Sequence, residues 1–226
     1  MNDIVHAPLF PAAAAFFVLF LAVSALELVF CFRELERPRK ITKPFCVLLL
    51  ALAFLFARPE AYLVYVGLVL GAIGDLLLVF KHKVWTFVGG TLAFLFGHIC
   101  YCVAYLRLLP SIGIPVYAAV FVCFVLVPIA AFFALRKAIK TPGLFAGGIV
   151  YFSFIVLDFA LSIVALCVMK NPILWLNVVG MSIFLVSDVY LVKTLFVKDD
   201  KRRDFYIMST YLVAQCLLAL GFVLIP

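Results

Sequence analysis

The chain has 226 residues, of which 68% are hydrophobic and only 13% are charged. A soluble domain of this length is about half apolar and about a quarter charged, so the composition excludes an ordinary soluble protein and indicates an integral membrane protein. The first apolar run is long enough to span a membrane and has no charged segment before it, so we do not expect a cleaved signal peptide. The net charge of +7 follows the pattern of membrane orientation described below, and we expect no nucleic-acid partner.

Charged or proline-containing breaks divide the apolar sequence into eight segments. A spanning helix needs about 20 residues, and seven of the segments meet this length. The second is short, and we expect it to span because the flanking Lys43 and Arg58 reach outward. Lipid offers no hydrogen-bond partners to backbone N–H and C=O groups, so a segment that crosses the membrane must form a helix. We therefore predict an all-α membrane protein, a bundle of eight transmembrane helices that forms a single domain over residues 1–226. The predicted helices cover residues 8–31, 44–57, 61–80, 85–106, 113–135, 144–169, 172–193 and 205–225.

The basic residues alternate along the predicted connections. The connections after helices 1, 3, 5 and 7 carry 15 of the 18 Lys and Arg residues, whereas the others carry only Arg58, Arg107 and Lys170. By the positive-inside rule, the connections rich in basic residues are cytoplasmic and both termini are non-cytoplasmic. We therefore expect a multi-pass protein of a bacterial cytoplasmic membrane or, in a eukaryote, of the endoplasmic reticulum.

Two aspartates lie within predicted spanning helices. Asp75 precedes Lys81 by six residues, and Asp188 precedes Lys193 by five. At about 1.5 Å per residue, both carboxylates lie roughly 8–9 Å from the basic face and share one depth. Because an intramembrane charge is costly unless it is paired, protonated or hydrated, both aspartates are candidate functional groups.

The surroundings of the two aspartates are similar. Each follows a small residue, Gly74 or Ser187, and each precedes an apolar stretch that ends in Leu-Val. This pattern suggests a parallel four-plus-four pseudo-repeat of the helices. Gly67, Gly71 and Gly74 leave one flank of helix 3 smooth, which suits either the approach of a substrate or the close packing of a second helix.

Further polar side chains are expected to face the interior of the bundle. Helix 4 presents His98 and Tyr101 on one face. Helix 8 carries Ser209 near its start and presents Tyr211 and Gln215 on one face. A polar cluster in a spanning helix points into the bundle or into a wet cavity. For His98 alone, a role in a site and a structural hydrogen bond are equally good interpretations.

Other polar groups are interpreted as structural. We expect Asn177 to make a hydrogen bond within the bundle, Asp158 to be a structural or supporting partner, and Glu27 to reach out to the aqueous interface. The seven cysteines form no CxxC pair and are expected to be reduced packing residues. Only one histidine lies within a predicted helix, so we expect no metal site and no cofactor. A serine triad of Ser209 with His98 and Asp188 lacks an activating turn and is disfavoured.

Two carboxyl groups at one depth in an apolar bundle would not both stay ionised, which leaves an acid and a base at neutral pH. Such a pair suits a reaction that protonates its substrate and activates water, as glycoside hydrolysis does. A lipid ether or enol ether that enters from the cytoplasmic leaflet fits this chemistry. A proton-coupled carrier also buries acids, so the residues alone leave both classes open.

Several motifs resemble those of the YhhN-type lysoplasmalogenase family, and the similarity extends from about residue 40 to the end of the chain. The matching segments are residues 65–75, 184–188 and 207–215, together with Lys43-Pro44 and with His98 and Tyr101. The resemblance implies an eight-helix, metal-independent hydrolase that cleaves the vinyl ether bond of a lysoplasmalogen. The products would be a fatty aldehyde and glycerophospho-choline or -ethanolamine, and the partners would be a membrane lysophospholipid and water.

The resemblance also implies that Asp75 and Asp188 are the catalytic residues. The flanking glycines favour Asp75 as the acid. We interpret seven other residues as substrate-binding or orienting groups, with the two lysines for an anionic headgroup: His98, Tyr101, Ser209, Tyr211, Gln215, Lys43 and Lys81. The alternatives are a hydrolase of another ether lipid or lysolipid, and a non-enzymatic lipid-binding or proton-coupled membrane carrier.

Overall fold

The computed structural model describes residues 9–80, 84–110, 113–135, 142–196 and 200–225. Within these residues the chain forms eight α-helices, each long and apolar enough to cross a membrane. The predicted all-α bundle of eight spanning helices is therefore confirmed. The helices are α1 (Phe10–Phe32), α2 (Glu36–Ala57), α3 (Tyr62–Val79), α4 (Val84–Leu108), α5 (Ile114–Leu135), α6 (Pro142–Met169), α7 (Trp175–Phe196) and α8 (Arg203–Leu224), with a 3₁₀ turn over Pro172–Leu174.

The second helix is longer than the predicted segment 44–57. It begins at Glu36, continues through Pro44 and has 22 residues, so it spans without help from flanking side chains. Its first two turns are polar, so the pattern of apolar residues does not predict them as part of a spanning helix. Pro44 is tolerated because the carbonyl that it leaves without a donor belongs to Lys40, an exposed residue near the polar end of the helix. Basic residues that the sequence places in a connection therefore lie on α2.

Four of the other helices contact α8: α1, α2, α3 and α7. Consecutive helices from α1 to α4 are neighbours, α4 packs on α6, and α6 packs on α5 and α7. The neighbours of α2 (α3 and α8) correspond to those of α6 (α7 and α4), which is compatible with the suggested pseudo-repeat. The repeat itself stays a prediction.

Glycines allow α3 and α4 to approach closely. A Cβ added to Gly97 would lie 3.1 Å from the carbonyl oxygen of Gly67. A Cβ added to Gly74 would lie 2.7 Å from the ring of Phe94. Small residues of this kind let helix backbones meet in a membrane, where tight packing stabilises the contact between helices. Packing against α4 therefore accounts for Gly67 and Gly74, whereas a Cβ at Gly71 would meet Tyr211 and Val47 at ordinary contact distances.

We expect Gly74→Ala to destabilise the bundle, because the added methyl group would displace the Phe94 ring and overpacking costs about 1–3 kcal/mol. The measurement is the melting temperature of the purified protein in detergent. Gly148→Ala is the matched control, since a Cβ at Gly148 meets nothing within 4 Å. Equal melting temperatures for the two variants would contradict the close packing of α3 on α4.

Candidate active site

A cavity of about 250 Å³ is lined by residues of α2, α3, α4, α6, α7 and α8, and Asp75 and Asp188 are among them. The fold thus brings together the two aspartates that the sequence singles out. Both residues are buried, with 2% of Asp75 and 8% of Asp188 exposed. Most of the remaining wall is apolar, with large side chains that include Phe87, Leu92, Phe94, Phe184, Leu191 and Met208.

Asp75 is held by two donors from other helices. The Lys43 ammonium of α2 lies 3.4 Å from its Oδ1 atom. The Tyr211 hydroxyl of α8 donates a hydrogen bond of 2.9 Å to its Oδ2 atom. A cation and a hydroxyl donor together stabilise the ionised form of a carboxyl group. Lys43, which the sequence suggested for an anionic headgroup, is therefore the counter-ion of Asp75.

Asp188 has different surroundings. Tyr151 of α6 lies beside it and faces the same cavity. Its Oδ2 atom is buried and has no hydrogen-bond partner among the described residues. The adjacent Ser187 hydroxyl is turned away and donates to the carbonyl oxygen of Ile207, at 3.2 Å. Among the described residues, Oδ2 of Asp188 therefore lacks contacts of the kind that hold both oxygens of Asp75.

The cavity borders the outer surface of the bundle between α4 and α6. Leu92 of α4 is 45% exposed and lines the cavity. Across from it, Gly147 and Gly148 of α6 line the cavity and are also exposed. In a spanning bundle this surface faces lipid.

Three of the residues predicted to bind the substrate lie behind the cavity wall: His98, Tyr101 and Gln215. The Nδ1 atom of His98 and the Oδ2 atom of Asp158 are hydrogen-bonded at 2.8 Å. The Tyr101 hydroxyl donates to Gln215 Oε1 at 3.2 Å. All four residues are buried, and the wall residue Phe184 packs edge-on against the His98 ring at 4.7 Å. These groups pack behind the wall, and the hydrogen bond to His98 agrees with the interpretation of Asp158 as a structural or supporting partner.

The model of the YhhN family matches residues 38–222. The chain belongs to the YhhN family. The match starts in the first turn of α2 and ends in the last turn of α8, so both carboxyl groups of this YhhN protein and their partners lie inside it. The family resemblance predicted from about residue 40 onward is confirmed, and α1 precedes the matched region. No solved structure matches the chain.

Other predicted residues of the YhhN protein lie away from the cavity. The Ser209 hydroxyl donates to the carbonyl oxygen of Tyr206 in its own helix, at 3.0 Å, and Ser209 does not line the cavity. Lys81 lies outside the described residues. Asn177 donates to the carbonyl oxygen of Leu218 at 3.3 Å, which confirms its structural role between α7 and α8. Among the described residues, no three His, Cys, Asp or Glu side chains are grouped closely enough to hold a metal ion.

Glu27 does not reach the aqueous interface, contrary to the prediction. It is completely buried and accepts hydrogen bonds from the Arg39 guanidinium at 3.3 Å and from the Thr42 hydroxyl at 2.5 Å. The difference has one cause. Because α2 begins eight residues earlier than predicted, its basic first turns lie over Glu27 and bind it inside the protein.

Sequence reasoning missed Tyr151 as a site residue. It lies seven residues before Asp158, which places both on one face of α6. A tyrosine on the face that carries a buried aspartate was a usable signal. The apolar wall residue Phe184 lies four residues before Asp188 on one face of α7, and its packing against His98 and Tyr211 places it in the wall.

Proposed function

We propose that this YhhN-family protein is a lysoplasmalogenase-type hydrolase that cleaves the vinyl ether bond of a lysoplasmalogen. The products are a fatty aldehyde and glycerophospho-choline or -ethanolamine. The supporting observation is an unequal pair of buried carboxyl groups on one cavity: Asp75 is paired with Lys43, whereas Asp188 has a buried oxygen without a partner among the described residues. Family membership is consistent with this role.

The unequal surroundings assign the two roles. Vinyl ether hydrolysis needs an acid that protonates carbon and an anion that stabilises the resulting cation. Asp188 is the acid, because a buried carboxyl group without a cationic partner is most stable in its neutral form. Asp75 is the carboxylate, because Lys43 and Tyr211 stabilise its charge. The flanking glycines favoured the opposite assignment, but Gly74 accommodates the Phe94 ring instead.

The reaction then proceeds with each proton accounted for. Asp188 transfers its proton to the vinyl carbon remote from the ether oxygen, which leaves an oxocarbenium ion at the other vinyl carbon. Asp75 stabilises this ion and accepts a proton from water as the water oxygen bonds to the cationic carbon. The hemiacetal then breaks its bond to the glycerol oxygen, which takes the proton held by Asp75. The hemiacetal hydroxyl returns a proton to Asp188, and one water molecule has been consumed.

The cavity suits this substrate in size and access. Its volume of about 250 Å³ accommodates the reacting bond and the glycerol, and the alkyl chain extends into lipid between α4 and α6. Tyr151 lies beside Asp188 and is placed to orient its carboxyl group. Tyr211 and Lys43 position Asp75.

The test is aldehyde release by the purified protein from a 1-alkenyl lysophospholipid in detergent micelles. The matched substrates are the 1-alkyl analogue, which lacks the double bond, and the 1-acyl analogue, which carries an ester. We expect aldehyde from the alkenyl lipid and no product from the other two. Fatty acid released from the 1-acyl analogue would favour a different lysolipid hydrolase. Absence of all turnover, with proton-driven lipid uptake in liposomes, would favour a carrier and contradict the proposal.

We also propose that both termini lie on the non-cytoplasmic side of the membrane. The structure is consistent with the charge pattern, because the basic first turns of α2 and α8 line one cavity at the same end of the bundle. The expected result is that a reporter fused to the C-terminus is active only outside the cytoplasm. A cytoplasmic reporter signal would contradict the orientation.

A further inference from the structure

Two adjacent glycines of α6 form one side of an opening between α4 and α6. Gly147 and Gly148 line the cavity of the two carboxyl groups, and both are exposed at the surface of the bundle. Among the described residues, a Cβ added to either glycine would meet nothing within 4 Å. Close packing therefore does not account for these glycines, in contrast to Gly67 and Gly74 of α3.

The α4 side of the opening is apolar. Leu92 is 45% exposed and lines the cavity, and Val88 and Leu95 line it one turn away on either side. Thr91 also lines the cavity, but its hydroxyl donates to the carbonyl oxygen of Phe87 in the same helix, at 3.0 Å. This side of the cavity therefore presents an apolar surface, which suits a hydrocarbon chain.

The residue beside Asp188 lies one helical turn from the glycines. Tyr151 follows Gly147 by four residues and Gly148 by three, so the three share one face of α6. Asp188 is 8% exposed and lines the same cavity, and its buried Oδ2 atom has no hydrogen-bond partner among the described residues. On the α2 side the cavity is lined by the charged Lys43. The lining thus changes from charged to apolar toward the opening, as an amphiphilic ligand requires.

Building on the function proposed above, we propose that the alkyl chain of the lysolipid leaves the cavity through the opening between α4 and α6. Gly147 and Gly148 are then specificity-determining residues that let a long chain pass. Small-molecule sites have volumes of about 300–1,000 Å³, so a cavity of about 250 Å³ does not enclose a whole long-chain lysolipid. The part of the chain outside the cavity passes the glycines and lies in the bilayer.

Side chains of increasing size at Gly148 test this inference without turnover. Purified Gly148→Ala, Gly148→Leu and Gly148→Trp are equilibrated in detergent with radiolabelled 1-hexadecyl-glycerophosphocholine, whose saturated ether is not a substrate. We expect the alanine variant to bind this lipid as the wild-type protein does, the tryptophan variant to bind it about tenfold more weakly, and the leucine variant to lie between them. Tenfold corresponds to about 1.4 kcal/mol, which lies within the cost of forcing extra atoms into an apolar site.

The chain length and the position of the substitution provide the controls. The 1-butyl analogue has a chain short enough to end inside the cavity, so all variants should bind it equally. Val150→Trp is the matched control, since Val150 of α6 is 49% exposed and does not line the cavity. Melting temperatures separate lost binding from lost structure. Equal weakening of both lipids by Gly148→Trp, or equal effects of Gly148→Trp and Val150→Trp on the hexadecyl lipid, would overturn the proposal.

Photo-crosslinking of the wild-type protein is a second test that needs no variant. The probe is a 1-alkyl-glycerophosphocholine with a diazirine near the middle of its chain, and mass spectrometry identifies the labelled residues. We expect labelling of α4 around Leu92 and of α6 around Gly148, displaced by excess 1-hexadecyl-glycerophosphocholine. Displaceable labelling confined to other helices would overturn the proposal. Equal displacement by a diacyl phospholipid would also overturn it and assign the opening to ordinary bilayer lipid. The expected labelling without any aldehyde release would retain this inference and reject the vinyl ether reaction.

Discussion

Asp188→Asn is expected to reduce kcat for aldehyde release by about 10²–10⁴-fold, the contribution typical of a general acid. Asparagine has nearly the same shape but cannot transfer a proton to the vinyl carbon. Asp75→Asn should also be severely impaired, because the oxocarbenium ion would lose its stabilising anion and the water its base. The measurement is the steady-state rate on a 1-alkenyl lysophospholipid for each purified variant.

Two controls separate lost chemistry from lost structure or binding. Ser209→Ala removes a hydroxyl that donates within its own helix, so it should retain full activity. Binding of the unreactive 1-alkyl lysophospholipid to Asp188→Asn should match that of the wild-type protein. Full activity in either asparagine variant would exclude the mechanism that uses both acids.

Lys43→Met is expected to reduce kcat by about 10²-fold and to lower the melting temperature, because it leaves Asp75 without its cation inside the bundle. Removing one partner of a fully buried ion pair costs about 3–5 kcal/mol, and the Lys43 side chain is 19% exposed, which places the expected destabilisation below that range. Rates and melting temperatures are measured for this variant, for Asp75→Asn and for the double variant.

The two substitutions should not be additive, because they remove the same interaction. The double variant should melt at a higher temperature than Lys43→Met, since the unpaired charge is gone. Its activity should equal that of Asp75→Asn. Fully additive losses of stability and activity would show that Lys43 and Asp75 act independently, and Asp75 would then lose its assignment as the ionised partner.

The sequence predicted the number of helices and the meeting of the two aspartates for a physical reason. Apolar runs of spanning length are required by the bilayer, and charge alternation fixes which ends lie together, so residues at one depth can be identified without coordinates. The start of α2 was not predicted, because Glu36 and its neighbours lie on polar turns. The burial of Glu27 under Arg39 depends on those same turns and was missed with them.

The contacts of the site were less accessible to sequence reasoning. Lys43 was recognised as a basic residue near the membrane surface, but its pairing with Asp75 depends on how α2 is rotated against α3. The sequence allowed either a role in a site or a structural hydrogen bond for His98. Only its hydrogen bond to Asp158 places it behind the cavity wall. Hydrophobicity determines which segments cross a membrane, whereas side-chain packing between helices determines which polar groups meet.

The most direct test of the central claim is hydrolysis of a 1-alkenyl lysophospholipid by the wild-type protein in D₂O, with immediate reduction of the aldehyde and mass spectrometry of the resulting alcohol. Protonation of the vinyl carbon by the exchanged carboxyl group of Asp188 predicts one deuterium on the carbon adjacent to the former aldehyde carbon. Asp188→Asn should form almost none of this product. Aldehyde formed by the wild-type protein without that deuterium, or no aldehyde at all, would contradict the proposed reaction.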